Sequence, residues 1–130
     1  MLIKSSNYCF ACGDKNPIGF QLKIVETENG VKTEFIPKKE YEGYQNITHG
    51  GIVATLLDEM IAWACRKKGY NAVTAELQVR YKKPMVLNKK YFAYGTIIKI
   101  HHQLIIGESQ VFDEEKNLIA YAQAKMYLIS

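Results

Sequence analysis

The sequence predicts an α+β domain in which a curved, six-stranded antiparallel sheet wraps around one long helix, in the order β-β-α-β-β-β-β. One stretch alone, from Gly50-Gly51 to Gly69, carries apolar residues on nearly every face over a helical length, so it is expected to be surrounded by protein. The flanking segments alternate apolar and polar residues with the period of two that marks strands. The last four are joined by connections too short for a crossover, which makes them antiparallel neighbours. No helices alternate with strands, so a doubly wound sheet is excluded, and 130 residues hold one domain, 1–130.

Residues 1–19 read as an irregular leader with room for one helical turn, closing on Asn16-Pro17-Ile18-Gly19. Phe20 to Thr27 follows as the first strand, and Glu28-Asn29-Gly30 turns it into the second, Val31 to Ile36. Pro37 ends that strand. Lys38 to Thr48 is a polar, tyrosine-rich loop, long enough to suspect function. The helix starts at Gly50-Gly51, runs through Ile52 to Lys68 and stops at Gly69, with Arg66, Lys67 and Lys68 complementing the negative end of its dipole. Beyond it, Ala75, Leu77, Val79 and Tyr81 alternate with Thr74, Glu76, Gln78 and Arg80. Tyr91 to Ile100, Leu104 to Phe112, a turn at Asp113 to Asn117, and Leu118 to Ile129 complete the sheet.

The charge pattern narrows the partners. A net charge of +4 arises from 17 basic and 13 acidic residues, almost all the basic ones lysine, a mild bias without the arginine and aromatic patches of a nucleic-acid reader. Lys82, Lys83, Lys89 and Lys90 bracket one loop and read either as solubilising residues or as a field for a small polyanion such as a nucleotide phosphate. No apolar run is long enough to cross a bilayer, and Met1-Leu2-Ile3-Lys4-Ser5 turns polar too soon for a secretory segment, so a cytoplasmic location is expected.

Cys9 and Cys12 form a C-x-x-C followed by Gly13. No second pair or suitably spaced histidines complete a zinc site, and His101 and His102 would point to opposite faces of a strand. The pair therefore reads as a structural, metal-free turn, with a metal site or a redox pair as alternatives, and no metal or cofactor is expected.

The informative segment is His49-Gly50-Gly51 through Leu57-Asp58. An ionised carboxylate at Asp58 in an otherwise apolar helix costs several kcal/mol unless something compensates it. Its neighbours at helical spacing, Gly51, Ala54, Ala62 and Cys65, are small and leave space for a substrate or a second chain. Free N–H groups at Gly50-Gly51 would suit a carbonyl oxygen gaining negative charge. The competing reading makes the glycines a sharp turn and pairs Asp58 with Arg80 or a lysine.

His49-Gly50-Gly51 with Leu57-Asp58 on the one long helix, preceded by Cys9-Phe10-Ala11-Cys12-Gly13 and Asn16-Pro17-x-Gly19, resembles the hotdog-fold acyl-CoA thioesterases of the phenylacetyl-CoA (PaaI-like) branch of the 4-hydroxybenzoyl-CoA thioesterase superfamily. The resemblance covers nearly the whole chain. It implies a hydrolase that cleaves an acyl-CoA thioester, with Asp58 as general base or nucleophile, the Gly50 N–H polarising the carbonyl and Thr74 holding the attacking water. His49 is either structural or a contributor, and Gly51 lies beside the substrate. It further implies a homodimer whose active sites mix chains, or a tetramer built as a dimer of dimers. Many relatives carry Asn or Gln where this chain has Gly43, so polar help would come from Gln45 or Asn46.

A thioester is already activated, so one base and one oxyanion donor suffice. Coenzyme A then enters as part of the substrate, with its phosphates as the partner of the Lys82–Lys90 loop. Tyr41, Tyr44 and Trp63 are candidates for an acyl pocket or for plain packing. A non-catalytic acyl-CoA sensing module is the alternative function.

Overall fold

The computed structural model describes residues 3–129; Met1 and Leu2, where the leader begins, lie outside the described residues. Its elements are β1 (Val25–Glu26), β2 (Val31–Phe35), a 3-10 turn (Lys39–Tyr41), α1 (Gly50–Lys67), β3 (Ala72–Tyr81), β4 (Tyr91–His101), β5 (Leu104–Asp113) and β6 (Leu118–Leu128). They form one 6-stranded sheet in the order β1-β2-β4-β5-β6-β3, every neighbouring pair antiparallel. The sheet folds against α1 in the hotdog arrangement expected from the sequence.

Local chemistry explains where α1 begins and ends. The His49 imidazole caps the first turn by accepting from the Gly51 N–H at 2.9 Å. At the other end Gly69 adopts φ +80, its N–H donates to the Arg66 carbonyl and the Tyr70 N–H reaches back to Cys65, a left-handed stop that glycine adopts without strain. Between these caps Val53, Leu56, Leu57, Met60, Ile61 and Ala64 turn one face into the core. Small residues opposite let the helix sit low. The carbonyl of Met60 lies only 2.2 Å from where a Cβ on Gly95 of β4 would stand, and the Ile61 side chain crowds Gly107 of β5, its Cγ2 2.6 Å from the corresponding point. The Ser109 hydroxyl, fully buried, donates to the Leu57 carbonyl at 2.8 Å.

Several expectations need correction. The first strand was expected over Phe20 to Thr27 but shrinks to Val25–Glu26. Upstream of it, the Phe20 and Leu22 N–H groups donate to the leader carbonyls of Phe10 and Ala11, and Gln21 adopts φ 53, which breaks the extended run. Phe20 packs instead with Phe10, Phe35 and Tyr41. The described leader is thus built of turns, one of them closed by the Gly13 N–H on the Cys9 carbonyl as in the single helical turn expected, and it packs on the sheet. Secondly, α1 is not surrounded by its own chain: Gly51 is exposed and Ala54, Thr55, Asp58 and Ala62 are only half-buried. His101 ends β4 and His102 turns the chain at φ 55, so the two rings meet edge to face rather than taking opposite faces.

The close seat of α1 sets a testable limit. Gly95→Ala should cost about 2–3 kcal/mol, because a backbone carbonyl cannot swing aside as a flexible side chain would. Urea unfolding should show a lower midpoint with an unchanged slope; a midpoint equal to wild type would mean that the helix is free to lift.

Candidate active site

The site begins where the Lys38–Thr48 loop feeds α1. The loop is held by Lys39–Glu42 pairing at 2.8 Å, by the Asn46 N–H on the Glu42 carboxylate, and by the Thr48 N–H on the Met85 carbonyl. Gly43 packs beneath His49: a Cβ there would stand 3.0 Å from the His49 Cα. That approach accounts for glycine at the position where the resemblance expects Asn or Gln. The His49 N–H donates to the Tyr41 carbonyl at 2.8 Å while its ring caps α1 through Nδ1, so one ring nitrogen serves the turn. Of the two glycine amides, Gly51 is consumed by this cap. Among the described residues nothing accepts from the Gly50 N–H, which opens at the positive end of the helix dipole.

Tyr81, which the sequence reading placed only in a strand, fixes this turn from β3. Its hydroxyl donates to the Gly50 carbonyl at 2.7 Å. Thr48 is a second residue that the reading passed over. It is buried, and its hydroxyl has no partner among the described residues. A hollow of about 410 Å³ lies here, lined by Tyr44, Thr48, Gly50, Tyr81, Lys82 and Lys83.

Asp58 lies on the flank of α1 that faces β3. Thr74 donates to its Oδ1 at 2.7 Å, and no ion pair with Arg80 or any lysine forms among the described residues. Burial raises the carboxyl above the ordinary aspartate range; the Thr74 bond works against that and the charge of Glu59 adds to it. Thr74 reaches the helix through a backbone irregularity. Strict alternation would set it on the face opposite Leu77, yet the β3–β6 register shifts between Thr74 and Glu76. Thr74 then opposes Met126 while Leu77 opposes Ala124, both of them core-facing, so the extra residue Ala75 brings Thr74 onto the helix side.

The other expected site residues divide. Lys82 and Lys83 share the hollow beside Gly50, and Lys83 also lines the one where Lys89 and Lys90 meet Asp113, Glu114 and Glu115, whose charges offset them. Asn46 is exposed, held at φ 65 by backbone bonds to Glu42 and Leu87. Tyr41 is a core residue, stacked on Phe35 with its hydroxyl on the Gly19 carbonyl. Tyr44 is 86% exposed at the hollow's rim. Trp63 lies against Arg66 and donates to Glu59 at 3.0 Å, away from the Asp58–Thr74 pair.

Cys9 and Cys12 meet Glu59 of α1, a partner that residue spacing does not announce, and the three ligand atoms lie within 4.8 Å of one another. Burial, with Glu59 and Cys9 beside it, pushes the Cys12 thiol up to about 12.

A free amide at a helix end can polarise a carbonyl oxygen, and a half-buried carboxylate without a cation can take a proton; on this hotdog framework the two groups stand at different points along α1. The sequence profile of the thioesterase superfamily matches residues 45–120, and the chain belongs to that superfamily, which places it among the thioester hydrolases. A relative from Archaeoglobus fulgidus, described as "Putative esterase", is 28% identical over 120 residues, 89% of this chain and 78% of the relative. A solved thioesterase superfamily protein superposes with a TM-score of 0.88 at 19% identity over 94% of this chain, which spans 60% of the length of that one. A hypothetical thioesterase from Streptococcus pneumoniae TIGR4, solved with coenzyme A, gives a TM-score of 0.79 at 17% identity, covering 84% of this chain and 89% of the other. It has also been solved with alanine in place of an aspartate and of a threonine. At such identities the solved structures speak for the fold.

Asp58 should prove costly to the fold. Asp58→Asn keeps an acceptor for Thr74 and removes a charge that burial disfavours, so it should stabilise the protein by about 1 kcal/mol. A lower melting temperature than wild type, at matched protein concentration, would show that the charge is compensated after all.

Proposed function

We propose that the protein is an acyl-CoA thioesterase of the PaaI-like branch, hydrolysing an acyl-CoA to the free acid and coenzyme A at a site shared by two copies of the chain. The carrying observation is the half-buried Asp58 carboxylate, bonded to Thr74 and facing no cation among the described residues. In this reading Asp58 takes the proton of a water that its carboxylate holds beside the Thr74 hydroxyl, and the water oxygen forms a bond to the thioester carbon. The developing oxyanion is met by the Gly50 N–H. The carbon–sulfur bond then breaks and the proton on Asp58 passes to the departing thiolate. A direct attack by Asp58 would use the same groups.

The second copy follows from distance. Eight positions along α1 put Gly50 and Asp58 of one chain about 12 Å apart along the axis, more than one carbonyl and its attacking water bridge with contact at both ends. β3 supplies the means of assembly, since it is an edge strand of 10 residues, mostly exposed, whose outer hydrogen-bonding groups await a partner. A homodimer joined there would cover the open flank of α1. In the pneumococcal thioesterase the replaced aspartate and threonine stand 16 positions apart, the interval between Asp58 and Thr74, which supports pairing them functionally. Lys82 and Lys83, beside Gly50, are placed to receive coenzyme A phosphates. The Cys9-Phe10-Ala11-Cys12-Gly13 leader supports the branch. Three unpaired cysteines suit a reducing compartment, the cytoplasm.

Two substitutions test both the chemistry and the sharing. Asp58→Ala should lower hydrolysis of acyl-CoA substrates by about 100-fold or more. Gly50→Pro removes the N–H where a helix accepts proline, with His49 already extended at ψ 135 and only ordinary contact at Tyr81, and should cost about 100-fold or more. Each variant alone is then nearly inactive. Mixed and reassembled, they should recover about a quarter of wild-type thiol release, because half the dimers regain one intact site. Near-normal turnover by Asp58→Ala would end the assignment, and no recovery on mixing two folded variants would end the shared site.

A further inference from the structure

The leader carries a feature that thioester hydrolysis does not use. Gly13 lets the chain fold back directly after Cys12, since a Cβ there would stand 2.4 Å from the Asn7 carbonyl oxygen and 2.5 Å from the Cys9 nitrogen. The Gly13 N–H closes the turn on the Cys9 carbonyl at 2.8 Å. Both thiols thereby face α1, where Glu59 awaits them. The Cys9 sulfur lies 3.6 Å from Glu59 Oε2, close to the separation of about 3.5 Å between a thiolate and a carboxylate oxygen on one tetrahedral zinc ion. The Trp63 indole N–H donates to the same Glu59 oxygen at 3.0 Å and orients it, the kind of outer-shell support that metal-bound carboxylates require.

We propose that Cys9, Cys12 and Glu59 form a zinc-binding clasp that fastens the leader to α1, with the fourth coordination position open to solvent. Two thiolates and one carboxylate are a donor set that suits zinc rather than magnesium or calcium, which prefer oxygen ligands. On binding, each thiol releases its proton to solvent and each sulfur donates a lone pair to the ion; no oxidant or reductant takes part. Side chains of consecutive helical residues diverge by about 100°, so the ion sits off the Asp58 flank and its role is structural.

Cobalt reports such a site directly. The full-length protein, reduced with a phosphine and stripped by a chelator, is titrated with Co²⁺ and then with Zn²⁺. One equivalent of cobalt should produce a near-ultraviolet thiolate-to-cobalt absorption and tetrahedral visible bands, and one equivalent of zinc should abolish them and raise the melting temperature. Cys9→Ser and Cys12→Ser should each lose the band of the intact site, and Glu59→Gln should weaken cobalt binding at least tenfold, while Cys65→Ser, which alters the buried third cysteine, should bind as wild type. The three ligand variants act independently, so misfolding of one, seen by circular dichroism, leaves the others decisive. Absence of a stoichiometric band overturns the proposal, as does a band that survives both serine substitutions or a Cys9–Cys12 disulfide in protein isolated from a reducing cytoplasm.

Discussion

The seat of α1 on the sheet governs everything else in this chain. Where Gly95 lacks a side chain the helix backbone drops onto β4, and where Gly107 lacks one the Ile61 side chain settles onto β5, so the helix cannot slide or rotate without a clash. The seat is then fixed by Leu56, Leu57, Met60 and Ile61, all with no exposed surface, and by the alanines of β6 at 120, 122 and 124 beneath them. Burial of these large side chains contributes on the order of 1.5–3 kcal/mol each, far more than any polar contact at the helix flank. The rotation of α1 is therefore decided by packing. Its polar residues take the directions that remain.

Those directions are chemically distinct. Leu57, Asp58 and Glu59 are consecutive, so one helical rotation presents them to the core, to β3 and to the leader respectively. Asp58 accordingly meets a bulged strand that offers a hydroxyl and no cation, which leaves its charge imperfectly compensated. Such an arrangement is a poor way to stabilise a fold. At the N-terminus the same economy appears. His49 caps one amide, Tyr81 ties down the Gly50 carbonyl, and the Gly50 N–H alone is left without a bond among the described residues.

Much of this was legible in residue order. The glycines at 50, 51 and 69 mark the ends of the helix because they act through local backbone geometry, and the hairpin strands announce themselves by alternation within a few residues. Asp58 stood out because charge within an apolar helix needs an explanation. What stayed hidden depends on distant partners. Strict alternation put Thr74 on the wrong face, and only pairing with β6 reveals the bulge at Ala75. Phe20 and Leu22 have strand periodicity, but their backbone bonds go to Phe10 and Ala11, a competition that no local pattern records. That the His49 ring takes the Gly51 amide, and not that of Gly50, depends on a side-chain direction that residue order does not record. Glu59 read as one more charge on a helix, since its meeting with Cys9 requires the leader to fold back across α1.

The half-open flank of α1 follows from the same physics. A single chain of this length has one sheet with which to cover a cylinder, and the sheet's order leaves β3 at the boundary with its outer edge unpaired. Small residues on that flank, Gly51, Ala54 and Ala62, hold too little apolar surface to demand cover from the chain itself, yet they permit a close approach by something flat. Large side chains there would have closed the flank and excluded a ligand; charged ones would have kept both a partner and an acyl group away. Asp58 is the exception within the stripe, and the small residues on either side of it are what would leave room for a reacting carbonyl beside it.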